Sequence, residues 1–284
     1  MQKLKENRLI SFLIVTIVYA IATIVGVLVY KSLNLSWWLS LLIADVVATI
    51  VTFIFSVVFN NASVYDPYWS VQPPIILIAF AFGKKLTALG VLLIIAVCFW
   101  AIRLTANWAY TFKNLCHQDW RYTMLKETTG AFYPIINFAG IHLVPTLVVY
   151  GCILPAVYAV VGSCTANAFS VIFICLSIGS ATMQGIADIQ MHKFRKNKNG
   201  AFIRNGLWKY SRHPNYLGEI LMWWGVALAV VSSTPNAFYL ILGAVANTLL
   251  FLVVSIPMAD KRQSKKDGFN EYKSQTRALL PIVK

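Results

Sequence analysis

The chain has 284 residues, of which 58% are hydrophobic and 12% charged, with a formal net charge of +14 and a mean hydropathy of +0.68. A soluble domain carries roughly 25% charged residues, and a soluble globule of this length cannot hide so much apolar surface. The basic residues gather between or beyond apolar runs, which argues for membrane topology and against nucleic acid as a partner.

Taken in chain order, apolar runs cover Leu9 to Tyr30, Trp37 to Phe59, Val71 to Phe82, Leu86 to Tyr110, Phe138 to Val161, Phe169 to Ile189, Tyr216 to Val231 and Ala237 to Met258. About 20 helical residues cross a hydrocarbon core of roughly 30 Å. The pattern predicts an all-α fold, a polytopic transmembrane helical bundle of about seven to eight spans in the lipid bilayer. The third and seventh runs are short. The first is too long, and too soon followed by another, to be a cleaved signal peptide.

Lys3, Lys5 and Arg8 precede the first run, seven Lys or Arg lie between Gln190 and Asn215 with no acid among them, and seven more follow Asp260. With eight spans all three clusters fall on one side, cytoplasmic by the positive-inside rule, with Lys84 and Lys85 as the exception. Dropping the third run would put the first cluster opposite the other two. The five cysteines show no CxxC pair, and no zinc spacing links Cys and His, so no metal centre is expected.

Ionisable groups at membrane depth cost at least ~2.5 kcal/mol each on insertion scales, and each is a candidate for function or for pairing between helices. Arg103, Asn107 and Tyr110 share a helical face in the fourth run. Gln184, Asp188 and Arg195 form a second stripe, and Tyr216, Glu219 and Trp223 a third. Three spans thus turn polar faces inward.

Two segments between runs stand out. Ser63 through Ser70 combines Tyr65, Asp66, Pro67, Tyr68 and Trp69, and reads either as an aromatic belt with a turn at Asp66 or as a site. The second, Asn205-Gly206-Leu207-Trp208 through Arg212-His213-Pro214-Asn215-Tyr216-Leu217-Gly218-Glu219, joins cations, glycine turns and aromatics just before a helix. Such a loop suits an anionic ligand with a flat ring, or else sets topology and touches anionic lipid.

At these residues the sequence resembles the steroid 5α-reductase C-terminal family, within it the bacterial DUF1295 branch, from about Trp100 to Lys284. Arg103-Leu104-Thr105, Asp119-Trp120-Arg121-Tyr122, Asp188 with Gln190 and Phe194, and Glu271-Tyr272-Lys273 with Leu280-Pro281 support the match. The resemblance implies residues 1–99 as amino-terminal helices forming part of a substrate cavity, and residues 100–284 as an NADPH-binding transmembrane domain. It also implies an oxidoreductase of the 3-oxo-5α-steroid 4-dehydrogenase kind, acting on a CH–CH bond conjugated to a ketone in a lipid-soluble substrate. Carried over by position, Asp188, Arg195, His213, Asn215, Tyr216, Glu219 and Trp223 are the expected cofactor contacts. Gln184 stands where the family has Asn, and Arg103 and Asn107 resemble a helix face that also approaches the cofactor.

The amino-terminal half departs from that pattern. The family holds the substrate ketone with a Gln-Glu pair and a Tyr, and no Gln-Glu dipeptide occurs before the fourth run. Asp66, with Tyr65 or Tyr68, is the nearest acid-and-phenol pair for the catalytic role. Arg-His-Pro-Asn-Tyr also resembles the sterol C14 reductases, which bind NADPH, and the isoprenylcysteine and phospholipid methyltransferases, which bind S-adenosylmethionine. Lys193, Arg195, Lys196, Lys198 and Arg204 favour a phosphate-bearing cofactor. A lipid methyltransferase and a non-enzymatic lipid-binding protein are the alternatives. The short basic amino terminus points to a bacterial inner membrane, with endoplasmic reticulum second; oligomeric state has no signature.

Overall fold

A computed structural model describes residues 5–197 and 202–280. Lys3, Lys198, Asn199, Gly200, Pro281 and Lys284 lie outside the described residues. The principal elements are helices: α1 Arg8–Ser32, α2 Trp37–Val58, α3 Tyr68–Ala81, α4 Ala88–Thr111, α5 Trp120–Thr129, α6 Val144–Val161, α7 Ala168–Lys196, α8 Pro214–Ser233, α9 Leu242–Leu250, α10 Ile256–Gln263 and α11 Phe269–Gln275. Two π-helical stretches interrupt them, Ile136–Leu143 before α6 and Phe251–Ser255 after α9.

Among the described residues seven helical stretches are long and apolar enough to cross a membrane: α1, α2, α4, Trp120–Val161, α7, α8 and Pro235–Gln263. The chain is a polytopic helical membrane protein. The third expected run, Val71 to Phe82, is a helix too, but α3 has 14 residues, about 21 Å of rise, short of a straight crossing of roughly 30 Å. Its Pro73 and Pro74 lie inside the helix, and such breaks are tolerated in membranes where neighbours satisfy the freed carbonyls.

Local sequence starts these helices in ordinary ways. Asn7 caps α1 by accepting from the Ile10 amide at 3.1 Å, and Asp119 caps α5 through the Arg121 amide at 2.9 Å. Asn167 and Ser170 form a reciprocal capping box on α7. Pro214 opens α8, where its missing N–H costs nothing. Aliphatic side chains such as Leu13, Ile24, Ile102 and Ile172 remain exposed, as a lipid-facing surface requires.

The chain folds as two compact units, each discontinuous in sequence: residues 1–75 with 108–150, and 76–107 with 151–284. In the first, α1 and α2 form a hairpin, and the segment after α2 is tied to the segment before α5. Asn61 Nδ2 donates to the Leu115 carbonyl at 2.7 Å, and the Asp119 amide to Ser63 Oγ at 2.8 Å. In the second, α7 and α8 pack backbone to backbone. A Cβ on Gly218 would fall 2.4 Å from Gln184 Cγ, and one on Gly225 would fall 2.5 Å from Ser177 Oγ. Small residues therefore let two helices approach until serines bond across them, Ser177 Oγ to the Met222 carbonyl at 2.6 Å and Ser170 Oγ to the Ala229 carbonyl at 2.8 Å.

Candidate functional site

In the second unit, α4, α7 and α8 bring their polar faces together. Trp100 and Arg103 stand one turn apart on α4, Gln184 and Asp188 on α7, Glu219 and Trp223 on α8. Arg103 Nη1 donates to Asp188 Oδ2 at 2.9 Å, and Nη2 donates to Gln184 Oε1. Glu219 is 4% exposed and accepts two indole hydrogens, from Trp100 Nε1 at 2.8 Å and Trp223 Nε1 at 2.9 Å. The two indoles meet edge to face, 4.8 Å between centroids. Arg103 also lies within Coulombic reach of Glu219, so one guanidinium serves two carboxylates. Two buried atoms of this region lack hydrogen-bond partners, Arg103 Nε and Asn215 Oδ1, while the Gln184 amide is turned to the Glu219 carboxylate. Buried polar atoms of this kind are rare and demand an explanation.

A second cluster anchors the loop after α7 to the chain end. Arg212 Nη2 and His213 Nε2 both donate to Asp260 at 2.9 Å. The Arg212 and His213 amides donate to the Arg277 and Ala278 carbonyls at 3.0 and 3.1 Å. Trp208 donates to the Ala187 carbonyl at 3.2 Å, the Leu207 amide to Gln190 Oε1 at 3.0 Å, and the Tyr272 hydroxyl to the Trp208 carbonyl. Gly206 holds φ at +59° with the Gln190 side chain where a Cβ would sit, so glycine is required by both conformation and space.

The family model described as a protein of unknown function (DUF1295) matches residues 52–276. The chain belongs to the DUF1295 family. No curated protein and no solved structure matches it.

In this DUF1295 protein nine of the ten expected cofactor residues divide into three groups, and the tenth, Asn215, lies in the first turn of α8 with its Oδ1 unpartnered. Arg103, Gln184, Asp188, Glu219 and Trp223 form the cluster between α4, α7 and α8 described above. His213 and Tyr216 stack face to face, 5.1 Å apart and 7° from parallel, in the anchor built on Asp260. Asn107 bonds His192 Nε2 at 2.7 Å, and Arg195 is exposed in the last turn of α7 beside Lys193 and Lys196, within Coulombic reach of Asp188. Tyr110, expected on the face of Arg103, is exposed.

The acid-and-phenol residues lie in the first unit of the DUF1295 protein, each with its own partner. Asp66 Oδ1 accepts from the Tyr122 hydroxyl at 2.6 Å, the Tyr65 hydroxyl meets Thr146 Oγ1 at 2.8 Å, and the Tyr68 hydroxyl donates to Asp45 Oδ1 at 3.3 Å. Burial pushes the Asp66 carboxyl up to about 6, against the pull of the Arg121 guanidinium. Sequence reasoning passed over Trp100, Asp260, Asp45 and His142. Asp45 is an acid inside an apolar run, so the rule applied to Arg103 and Glu219 would have found it, whereas Trp100 is not ionisable and is marked only by standing one turn before Arg103. Among the described residues no group of three His, Cys, Asp or Glu side chains could hold a metal ion.

Proposed function

We propose that this DUF1295 protein is a membrane-embedded, NADPH-dependent reductase of a carbon–carbon double bond conjugated to a ketone in a steroid-like or isoprenoid lipid. The observation that carries the reading is the unsatisfied polar set on the α4–α7–α8 cluster, beside a basic helix end. Arg103 Nε is a donor without an acceptor, and Asn215 Oδ1 is an acceptor without a donor. Phosphate or carbonyl oxygens would meet the first, and an amide or ribose hydroxyl the second. The residues fit such a cofactor: Lys193, Arg195 and Lys196 supply cations for phosphate, while helix-end placement also favours these cations on their own.

Bound NADPH supplies the hydride that reaches the β-carbon of the substrate, and a proton completes reduction at the α-carbon. The protein's own residues bind, orient and exclude water. Arg103 is held against Asp188 and Gln184, so its remaining Nε–H has a fixed direction. Glu219 is engaged by two indoles, and its part is to fix Trp100 and Trp223 as a buried wall.

Titration of the purified protein with NADPH, NADH and S-adenosylmethionine, with mass spectrometry of any copurified nucleotide, tests the reading. Saturable NADPH binding at least tenfold tighter than NADH, with NADPH oxidation on adding an apolar enone, is the expected result. Saturable S-adenosylmethionine binding with no response to NADPH would replace the proposal by a lipid methyltransferase. No saturable nucleotide at all would leave a lipid-binding protein.

A further inference from the structure

Asp260, on α10, gathers three side chains from two other segments of the second unit. Its Oδ2 accepts from Arg212 Nη2 at 2.9 Å and stands 3.5 Å from Lys273 Nζ, and its Oδ1 accepts from His213 Nε2 at 2.9 Å. Arg212, His213 and Asp260 are 8%, 6% and 5% exposed, so these charge-assisted bonds are shielded from water. The closing segment is tied to the same loop. Arg212 Nη1 donates to the Thr276 carbonyl, and the Ala278 carbonyl accepts from Ser211 Oγ and from the His213 amide, each at 3.1 Å. Both the backbone and the side chain of His213 are therefore held by residues from the last spanning stretch and the segment that follows it.

An imidazole can turn about its bond to Cβ until one of its nitrogens is engaged. An ionised carboxylate only accepts, so His213 Nε2 carries the proton, and in the neutral ring Nδ1 is left as the acceptor. The bond to Asp260 thus sets both the plane of the ring and its tautomer. The Tyr216 ring lies 7° from parallel to that plane at 5.1 Å, and Phe251 packs on Tyr216 at 4.9 Å. Tyr216 stands on the α8 face that carries Glu219 and Trp223 at spacings of three and four residues, and buried Asn215 Oδ1 is unmet beside it. The ring pair that Asp260 orients is therefore the continuation, toward the start of α8, of the polar face in the α4–α7–α8 cluster.

We propose that Asp260 is a positioning residue of the nucleotide site, holding the His213 ring, and through it the Tyr216 ring, in the fixed plane against which a flat ring of the cofactor stacks. The role rests on the nucleotide reading of the α4–α7–α8 cluster. Asp260 acts through His213 and touches no cofactor atom itself.

NADPH affinity and the ligand-free thermal midpoint, measured on purified full-length protein carrying Asp260→Asn, His213→Phe, both together, or Tyr272→Phe, test the role. Asp260→Asn keeps the volume but has one accepting oxygen for Arg212 and His213 together. Each of Asp260→Asn and His213→Phe should weaken NADPH at least tenfold, and the double variant should lose no more than the more affected single one. Tyr272→Phe removes the hydroxyl bond from the closing segment to the Trp208 carbonyl; it should lower the midpoint and leave NADPH affinity within twofold of wild type. Imidazole-nitrogen NMR of histidine-labelled, ligand-free protein should show the His213 signals, assigned by their absence from His213→Phe, moved in Asp260→Asn and unmoved in Tyr272→Phe. If Asp260→Asn does not fold, Asp260→Glu takes its place with the same expectations, since it keeps a charge for Arg212 while displacing the oxygen that faces His213. Additive losses of affinity in the double variant, wild-type affinity in a folded Asp260 variant, unmoved His213 signals, or an equal loss of affinity in Tyr272→Phe would reduce Asp260 to an anchor of the fold and leave the nucleotide reading standing. Wild-type protein that binds no NADPH would remove that reading, and this role with it.

Discussion

Trp100 and Glu219, 119 positions apart in sequence, are joined by an indole N–H to carboxylate bond of 2.8 Å inside the second unit. Because Trp223 occupies the other oxygen, Glu219 cannot be exchanged for its amide without consequence. Glu219→Gln turns one acceptor into a donor facing an indole N–H, and buried mismatches of that kind cost about 1–3 kcal/mol. The thermal midpoint of the ligand-free variant should fall, and Trp100→Phe should recover part of the loss by removing one opposing donor. A Glu219→Gln variant as stable as wild type would contradict the paired-indole geometry.

Arg103 and Asp188 are each about 15% exposed in their side chains, at 14% and 15%, so their pairing is only partly screened. Removing either alone leaves a largely buried charge, at a cost of about 2–3 kcal/mol. A double-mutant cycle on Arg103→Ala and Asp188→Ala should give a coupling of about 1–3 kcal/mol. Additive losses would mean that the two do not hold one another. NADPH affinity should fall at least tenfold in Arg103→Ala.

Arg195 stands exposed at the end of α7, where its substitution has little to disturb in the fold. Arg195→Ala is expected to leave the thermal midpoint unchanged and to weaken NADPH more than NADH, since only the former brings a 2′-phosphate. Equal weakening of both would assign the basic helix end to topology and the helix dipole.

The Asp66 carboxyl titrates near 6 in the folded protein because burial disfavours its charged form, against about 4 when unfolded. The native state therefore holds this proton more tightly. Its contribution to stability is fully present below about pH 4 and is lost as pH rises to about 6, by roughly 3 kcal/mol in all. Thermal midpoints measured across that window should decline for wild type and stay flatter in Asp66→Asn. Tyr122→Phe, which removes the 2.6 Å donor, should move the window upward.

Both chain ends are expected on the cytoplasmic side, because the basic clusters before α1 and after Asp260 call for an even number of crossings. With seven helices of spanning length, that requires α3 to return the chain across the bilayer. Cysteine-accessibility labelling at the two ends reads this directly, and labelling from opposite sides would reduce α3 to a half-inserted helix.

Apolar run length and the grouping of basic residues determine the all-helical membrane class from sequence alone, because a hydrocarbon core allows few other ways to satisfy a backbone. The polar stripes on α4, α7 and α8 were legible for the same reason: helical periodicity is local, so Arg103, Gln184, Asp188 and Glu219 could each be placed on a face. Which faces meet was not legible. Arg103 with Asp188 and Glu219 with Trp100 depend on pairings over 85 and 119 positions, set by helix packing that glycines such as Gly218 and Gly225 permit. Tertiary structure likewise bound Arg212 and His213 to Asp260, and gave Tyr68 to Asp45 instead of its sequence neighbour Asp66. A hydrogen bond is decided by which atoms end within about 3 Å, and sequence proximity fixes that distance only within a turn or two of the same helix.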